Sequence, residues 1–328
     1  MSDNPKNTLS PEIIDRIRQL EAKYEAMGQN LLSYLDGLLY DDYLTYWDYI
    51  KLDVLLNLQQ PITPFKDEQV FIIYHQITEL YFKLIINAQK EITDAETPLA
   101  PPDFAKYLQR INSYFDALIK SFEIMVSGMD KEQFLKFRMS LLPASGFQSA
   151  QFRLIELYAT DLQNLIAAPM RHRLPPNATI AQQYEYLYWK QGASELATGK
   201  KTLTLLQFEK KYDELFVQTA RQYAHKNLWQ TYLNLPDEQR HYTPLIGQLR
   251  LLDHNANVLW PLMHFKSAVR YLQRDPQDIA ATGGTNWQKY LPPKNQGIIF
   301  FPQLWTEQEQ QEWGKKAQTE VLATLRQS

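Results

Sequence analysis

The sequence has 328 residues, with 34 Lys and Arg against 37 Asp and Glu, so its net charge is −3. This balance argues against a broad nucleic-acid-binding surface or a polybasic membrane patch. Cysteine is absent, which excludes disulfides, zinc–thiolate sites, iron–sulfur clusters, thiolate-ligated haem and cysteine nucleophiles. The sequence shows no apolar signal core at its start and no apolar run near the ~20 residues of a membrane span. We therefore expect a soluble cytoplasmic protein.

Glycine and the aromatic residues depart most from an average composition. Glycine accounts for only 11 residues, which predicts few turns and long helices. Aromatic residues make up 13% of the chain. This share is typical of a ring-lined interior, a pocket for a flat ligand or an extensive oligomer interface, and composition does not choose among the three.

Helix signals follow one another along the whole chain. Ser10 followed by Pro11 predicts a first helix, with the serine as N-cap. Ser145 and Gln148 have the spacing of a capping box, and Thr306 is placed to cap a terminal helix. Between these points we predict helices over residues 43–58, 67–92, 103–126, 132–142, 181–194, 202–233 and 243–273. Residues 167–181, with three prolines, are the best candidate for an internal linker, and residues 274–304 are expected to be irregular.

Two of these helices carry further expectations. The stretch 67–92 is apolar on most of its faces, which predicts a buried helix. Pro261 lies inside the helix 243–273 and predicts a bend, because proline removes a backbone hydrogen bond. No strand-dominated stretch or short repeat stands out, so the predicted fold class is all-α.

Two histidines and one arginine carry the chemistry that the residues themselves suggest. His75 and His264 lie in strongly apolar helical settings. A neutral buried histidine that only satisfies a hydrogen bond explains either one, and a His-ligated haem is the functional alternative. Arg138 lies four residues after Phe134, on the same helix face. It is either a salt-bridged core arginine or a clamp for a ligand carboxylate.

Longer motifs resemble one known family. Residues 71–83, FIIYHQITELYFK, resemble the HQxxELWFK helix of tryptophan 2,3-dioxygenases, and residues 137–153, FRMSLLPASGFQSAQFR, resemble the FRxxLxPxSGFQSxQ[FY]R signature of the same family. Tyr46-x-x-Tyr49-Ile50-x-Leu52-Asp53 resembles YxxYLxLD. Trp260-x-x-x-His264 resembles the WRFRH segment, and residues 282–285 and 301–305 resemble the TGG loop and the FPELF ending. The similarity spans about residues 43–305.

The resemblance implies a helical haem oxidoreductase, a homotetrameric dioxygenase of tryptophan catabolism by the kynurenine route. It would insert O2 across the C2–C3 bond of L-tryptophan or a related indole amino acid, with an N-formylkynurenine-type product. His264 would be the proximal ligand of a b-type haem iron, and His75 would hydrogen-bond the indole N–H. Arg138 would clamp the substrate carboxylate. The other implied residues are Phe71, Tyr46, Tyr49, Ile50, Phe134 and Thr282 at the substrate, with Tyr46 reaching in from a neighbouring subunit, and Ser145 and Gly146 in the haem pocket near the oxygen site.

The resemblance also implies one large domain with helices that contact other subunits. We expect an N-terminal helical segment at an oligomer interface (1–42), a haem- and substrate-binding helical domain (43–305) and a C-terminal helix (306–328). Phe134 stands where the family usually has tyrosine, and Ala281 replaces a glycine before the TGG threonine. Two alternatives therefore stay open. One is a haem oxygenase of the same superfamily that acts on another aromatic substrate, for instance by mono-oxygenation, and the other is a non-catalytic haem-binding or helical interaction protein.

Overall fold

The fold is helical. The computed structural model describes residues 9–40, 44–141, 146–175, 177–193, 200–272 and 291–327. Within these ranges the only β-type pairing is an isolated antiparallel bridge between Ile166 and Leu187, so the all-α prediction is confirmed. None of the helices in these ranges combines the length and the apolar character needed to cross a membrane.

The chain divides into two compact units, residues 1–59 and 60–328. The first unit contains helices α1 (Pro11–Ala26), α2 (Leu31–Leu39), α3 (Tyr46–Ile50) and α4 (Leu52–Leu55). Ser10 caps α1 as predicted, because its hydroxyl accepts from the amide of Ile13. The helix predicted over residues 43–58 is instead two short ones, since Lys51 between them takes a left-handed conformation with φ 55°. None of the described side chains in α1 to α4 is buried.

The second unit is built around the helix α5 (Asp67–Thr93), which packs against α6 (Pro101–Ser121) and α9 (Ala150–Ala159). Its other helices are α7 (Glu123–Ser127), α8 (Lys131–Phe137), α10 (Ile180–Tyr184), α11 (Tyr188–Gly192), α12 (Leu203–Tyr223), α13 (Leu228–Leu233), α14 (Asp237–Arg240), α15 (Thr243–His254) and α16 (Trp260–Leu272), followed by Pro293–Gln296, Glu307–Gln311 and Lys315–Gln327. Thr306 caps Glu307–Gln311 as predicted, and it forms a capping box there in which Thr306 and Glu309 bond reciprocally. The predicted three-part division of the chain stays a prediction.

Helix α5 differs from its prediction on one face. Tyr74, Phe82 and Ile85 are buried as expected. A stripe at helical spacing is exposed in the single chain, with Ile73, Ile77, Leu80 and Leu84 each 37–50% accessible. The prediction of an all-round buried helix is therefore wrong for the single chain, because the described residues of the second unit leave this face exposed.

A π-helical turn joins α15 to α16 within one long helix. α15 continues through π-helical residues Asn255–Leu259 directly into α16, and the amide of Trp260 donates to the carbonyl of Asn255, five residues earlier. Pro261 follows at once and cannot donate, and its ring would clash with the carbonyl four residues before it. The wider turn gives that ring room, which is how this helix accommodates the predicted distortion.

Three other segments differ from the predicted pattern. The helix predicted over 202–233 breaks between α12 and α13, where the Asn227 side chain caps α13 by accepting from the Gln230 amide at 2.9 Å. Residues 167–181 do not behave as a free linker, since Arg171 donates to the carbonyls of Ile166 and Gly297 at 3.0 and 3.1 Å. Ser145 lies outside the described residues, and α9 begins later, with Ser149 as its cap.

Candidate active site

His75 lies on α5, where a hydrogen bond fixes which of its ring nitrogens carries the hydrogen. Its Nδ1 is 2.7 Å from the carbonyl of Phe71. Because a carbonyl only accepts, Nδ1 carries the hydrogen and Nε2 keeps its lone pair. Burial lowers the pKa of His75, so the ring is neutral at pH 7. The ring is half-buried, and Nε2 bonds to none of the described residues, so it can accept from a ligand N–H.

His75 belongs to a group of rings in mutual contact, which we call the α5–α8 cluster: Phe71, His75, Phe134, Phe137 and Tyr271. The Phe71 ring lies 4.1 Å from His75, 5.8 Å from Phe137 and 6.4 Å from Phe134. Phe134 in turn lies 4.6 Å from Tyr271 of α16. The hydroxyl of Tyr271 donates to the Met129 carbonyl at 3.2 Å. The cluster thus presents an apolar, ring-lined wall beside His75.

Arg138 places a buried cation directly after this cluster. It follows Phe137 where α8 passes into the 3-10 turn Arg138–Leu141, and it is only 4% exposed. Burial lowers the pKa of Arg138, but guanidinium remains charged at neutral pH. A buried guanidinium beside an aromatic wall is suited to hold the carboxylate of an aromatic ligand, since its planar donors match two carboxylate oxygens.

His264 lies on α16, one turn after the π-helical segment. Its Nδ1 donates to the Trp260 carbonyl at 3.1 Å, so Nε2 is the lone-pair nitrogen here as well. The rings of Phe122 and Trp260 contact it at 4.6 and 4.7 Å. Burial lowers the pKa of His264 to about 4, and His75 adds to the effect. This neutral imidazole has the protonation that a metal ligand requires.

The two histidines lie close enough for their charges to interact. Ring contacts also link the residues around them. Tyr74, next to His75, meets Phe122 edge-on at 5.7 Å, and Phe122 contacts His264. A protonated His75 would further disfavour protonation of His264. The structure thus has neutral imidazoles on α5 and α16, and the catalytic and haem-ligand roles expected for them stay predictions.

A buried carboxylate supports the helix that carries His264. Asp253 is fully buried and accepts hydrogen bonds from Asn257 Nδ2 at 2.8 Å, from the Phe300 and Phe301 amides at 2.8 and 3.1 Å, and from Trp305 Nε1 at 2.9 Å. Burial raises the pKa of Asp253 to about 6, although these bonds oppose the shift. It ties the segment after residue 290 to the π-helical turn. Sequence reasoning missed Asp253, whose only local signal was an acidic side chain directly after two leucines.

Several predicted site residues are not placed by the structure in this pocket. Ser145 and Thr282 lie outside the described residues, and Gly146 begins the 3-10 turn Gly146–Gln148. Tyr46, Tyr49 and Ile50 form part of α3 in the first unit. Their roles stay predictions. The sequence analysis did not identify Phe137 and Tyr271, because only tertiary packing brings them into the α5–α8 cluster.

The described residues form an all-α fold in which two neutral histidines lie beside aromatic rings, and a buried arginine directly follows Phe137 of the α5–α8 cluster in the chain. The profile of the family described as tryptophan 2,3-dioxygenase matches residues 37–207, a stretch that contains His75 and Arg138. The chain belongs to the tryptophan 2,3-dioxygenase family.

Relatives named tryptophan 2,3-dioxygenase extend this likeness along the chain. The protein of Polaromonas sp. strain JS666 is 27% identical over 266 residues, which cover 80% of this chain and 86% of the relative. That of Pseudomonas aeruginosa is 26% identical over 268 residues, or 80% and 88% of the two chains. That of Ralstonia pickettii is 34% identical over a shorter stretch of 131 residues, 40% and 46% of the two.

Proposed function

We propose that this protein is a haem-dependent dioxygenase that adds O2 across the C2–C3 bond of L-tryptophan or a related indole amino acid. Family membership supports the reaction type. The observation that carries the proposal is the pair of Nδ1-anchored neutral histidines, one beside an aromatic cluster and a buried arginine, the other among apolar rings. One nitrogen lone pair suits a substrate N–H, and the other suits iron.

The residues around His264 fit a b-type haem. Its Nε2 is unprotonated, it retains accessible surface, and flat ring faces surround it. Among the described residues no cluster of three or more His, Cys, Asp or Glu is arranged to hold a metal ion by itself, whereas a porphyrin brings four nitrogen ligands of its own. His264 would hold the iron from its proximal side. Haem, when bound, supplies O2 binding and activation.

The α5–α8 cluster would bind the indole. In this arrangement the substrate N–H donates to Nε2 of His75, and the rings of Phe71 and Phe134 cover the indole faces. Arg138 would take the carboxylate, and Thr282 would help to hold the amino-acid end. Ser145 and Gly146 would line the haem pocket near the oxygen. The work of the chain is positioning and exclusion of water, which is worth several kcal/mol when reacting atoms are held in line.

A homotetramer would explain the exposed apolar surfaces. Leu38, Leu39, Tyr46 and Tyr49 in the first unit are 68, 82, 70 and 74% exposed in the single chain. The exposed stripe on α5 adds apolar area in the second unit. Surfaces of this kind mark contacts between subunits, and Tyr46 would then reach a neighbouring pocket. Sedimentation of the wild type and of Leu80→Lys tests this, with dissociation expected for the variant.

The test of the proposed function is single-turnover oxygenation. Ferrous, haem-loaded protein is mixed anaerobically with L-tryptophan and then exposed to 18O2. The mass of the product is measured by mass spectrometry. Two labelled oxygen atoms in an N-formylkynurenine-type product are expected. One labelled atom would indicate mono-oxygenation, and a haem-loaded protein that turns over no indole would indicate a non-catalytic haem-binding protein.

A further inference from the structure

Arg153 of α9 is a buried arginine with only one of its two hydrogen-bonding edges in use. Its side chain is 11% exposed. Nη1 donates to both carboxylate oxygens of Glu156, at 3.1 and 3.0 Å, and to the hydroxyl of Tyr188 at 2.8 Å. Tyr188 in turn donates to Glu156 Oε1 at 2.5 Å. These three side chains form a closed network on the Nη1 side of the guanidinium.

The opposite edge of the same guanidinium makes no hydrogen bond. Nε is buried and has no partner, and Nη2 donates to none of the described residues. Nε–H and one Nη2–H point in the same direction, and this fork is the part of arginine that binds a carboxylate with two parallel hydrogen bonds. A buried N–H without a partner costs about 1–3 kcal/mol. Native proteins seldom leave such a donor unless a ligand uses it.

A continuous series of ring contacts connects the guanidinium of Arg153 to His264. The guanidinium carbon lies 4.8 Å from the centre of the Phe152 ring. Phe152 contacts Phe82 at 5.4 Å, and Phe82 contacts Trp260 at 5.6 Å. Trp260 contacts His264 at 4.7 Å. Arg153 thus belongs to the ring-lined surroundings of His264.

We propose that the Nε–Nη2 edge of Arg153 binds a propionate carboxylate of the haem held by His264. The inference rests on the proposed function, because it presupposes haem at His264. It assigns different anions to the two buried arginines: the substrate carboxylate to Arg138 beside His75, and a cofactor carboxylate to Arg153 beside His264. Glu156 and Tyr188 would act as positioning residues, since they lock Nη1 and so aim the other edge.

The test compares two porphyrins that differ only in their carboxylates. Apoprotein is titrated with haemin and with haemin dimethyl ester, and binding is followed by the Soret band. Wild type is expected to bind haemin about tenfold or more tightly than the ester, the effect of one charged hydrogen bond. The control Arg110→Met/Glu91→Gln removes a half-exposed arginine–glutamate pair instead and should retain this preference. The double variant Arg153→Met/Glu156→Gln strands no charge and should bind both porphyrins equally.

Folding is monitored separately, because a buried network is being changed. Circular dichroism should show unchanged helix content, and equal Soret maxima should show that His264 still ligates the iron. If the double variant does not fold, Arg153→Lys replaces it; this variant keeps the charge but lacks the fork, and its preference for haemin should fall. A folded Arg153 variant that prefers haemin as strongly as wild type would overturn the inference alone. A wild type that binds neither porphyrin would overturn the proposed haem function itself.

Discussion

His75 and His264 share one local device but lie in different surroundings. Each ring donates Nδ1–H to the carbonyl four residues before it in its own helix, at 2.7 and 3.1 Å. This bond makes Nε2 the acceptor or ligand atom, and burial keeps each ring neutral. His75 contacts Phe71 of the α5–α8 cluster, and the buried cation Arg138 directly follows Phe137 of that cluster in the chain. His264 lies between Phe122 and Trp260, on a helix that the buried carboxylate of Asp253 supports.

The local bond thus sets the tautomer of each ring, burial keeps it neutral, and the neighbours distinguish the two sites. A carbonyl partner on Nδ1 leaves either imidazole able to bind iron. The guanidinium of Arg138, buried directly after Phe137 of the α5–α8 cluster, favours an anionic organic ligand there. The aromatic contacts of His264 favour a flat apolar ligand such as a porphyrin face. Exchanging or removing these groups should therefore produce separable effects.

The largest effect is expected from His264→Ala, which should abolish stable haem binding. Even partners that only support a metal ligand are worth about 10- to 100-fold in affinity, so losing the ligand itself should cost at least about 100-fold. The Soret band of the purified variant measures this. His241→Ala, at an exposed histidine, is the control and should keep full haem. Full haem content in His264→Ala would transfer the ligand role to His75.

Arg138→Leu should raise KM for carboxylate-bearing indoles by roughly 100-fold, since removing one partner of a buried charge pair costs about 2–5 kcal/mol. Binding of tryptamine and of indole should change little, because they have no carboxylate. Competition binding across tryptophan, tryptamine and indole-3-propionate provides the measurement, and Arg110→Leu at a half-exposed arginine is the control. If tryptamine binds wild type as well as tryptophan does, and the variant behaves like wild type, Arg138 is a structural arginine.

Asp253→Asn should lower the free energy of unfolding by about 2 kcal/mol, because an asparagine presents an NH2 group to donors that now meet a carboxylate oxygen. Urea unfolding of the apoprotein measures the loss. Asp116→Asn, at an exposed aspartate paired with Lys120, should be nearly neutral. The variant also separates the two histidines: haem affinity should fall with helix stability, while tryptophan specificity should not change. An Asp253 variant as stable as the control would show that the network contributes nothing.

His75→Ala should keep haem and lose about tenfold in affinity or rate, the value of one hydrogen bond to the substrate N–H. N-methyltryptophan lacks the indole N–H, so variant and wild type should show similar affinity and rate with it. Soret absorbance and steady-state kinetics on the two substrates give the comparison. Loss of haem from this variant would mean that the two histidines have exchanged roles.

The smallest effect is a pH dependence of apoprotein stability. The folded-state pKa of His264 is about 4, below the ordinary value of 6.5. Between these values the unfolded chain binds the extra proton, so stability falls as pH decreases from 6.5 to 4. His264→Phe should show a weaker decline across that window than wild type, measured by urea unfolding at each pH, with His241→Phe as control. Parallel curves for wild type and His264→Phe would contradict the assignment.

Much of the helical pattern was accessible from sequence because its signals are local. The Ser10 cap and the Thr306 cap depend on side chains within one turn of the backbone groups that they satisfy. His75, His264 and Arg138 stood out as polar groups in apolar helical settings. Motif resemblance then assigned roles that periodicity alone left open between a structural and a functional histidine.

The fold class and the family were therefore accessible from the sequence, which also singled out the three polar residues of the candidate site. The packing of Phe137 and Tyr271 into the α5–α8 cluster was not, since these rings lie in different helices separated by more than a hundred residues along the chain. Only the tertiary structure decided that α5 leaves one apolar face uncovered and that Asp253 collects four donors, two of them from backbone amides near residue 300. The unused edge of Arg153 belongs to the same class of fact. Local patterns encode hydrogen bonds within one turn, but side-chain partners contributed by distant helices exist only after packing, because burial and not sequence distance selects them.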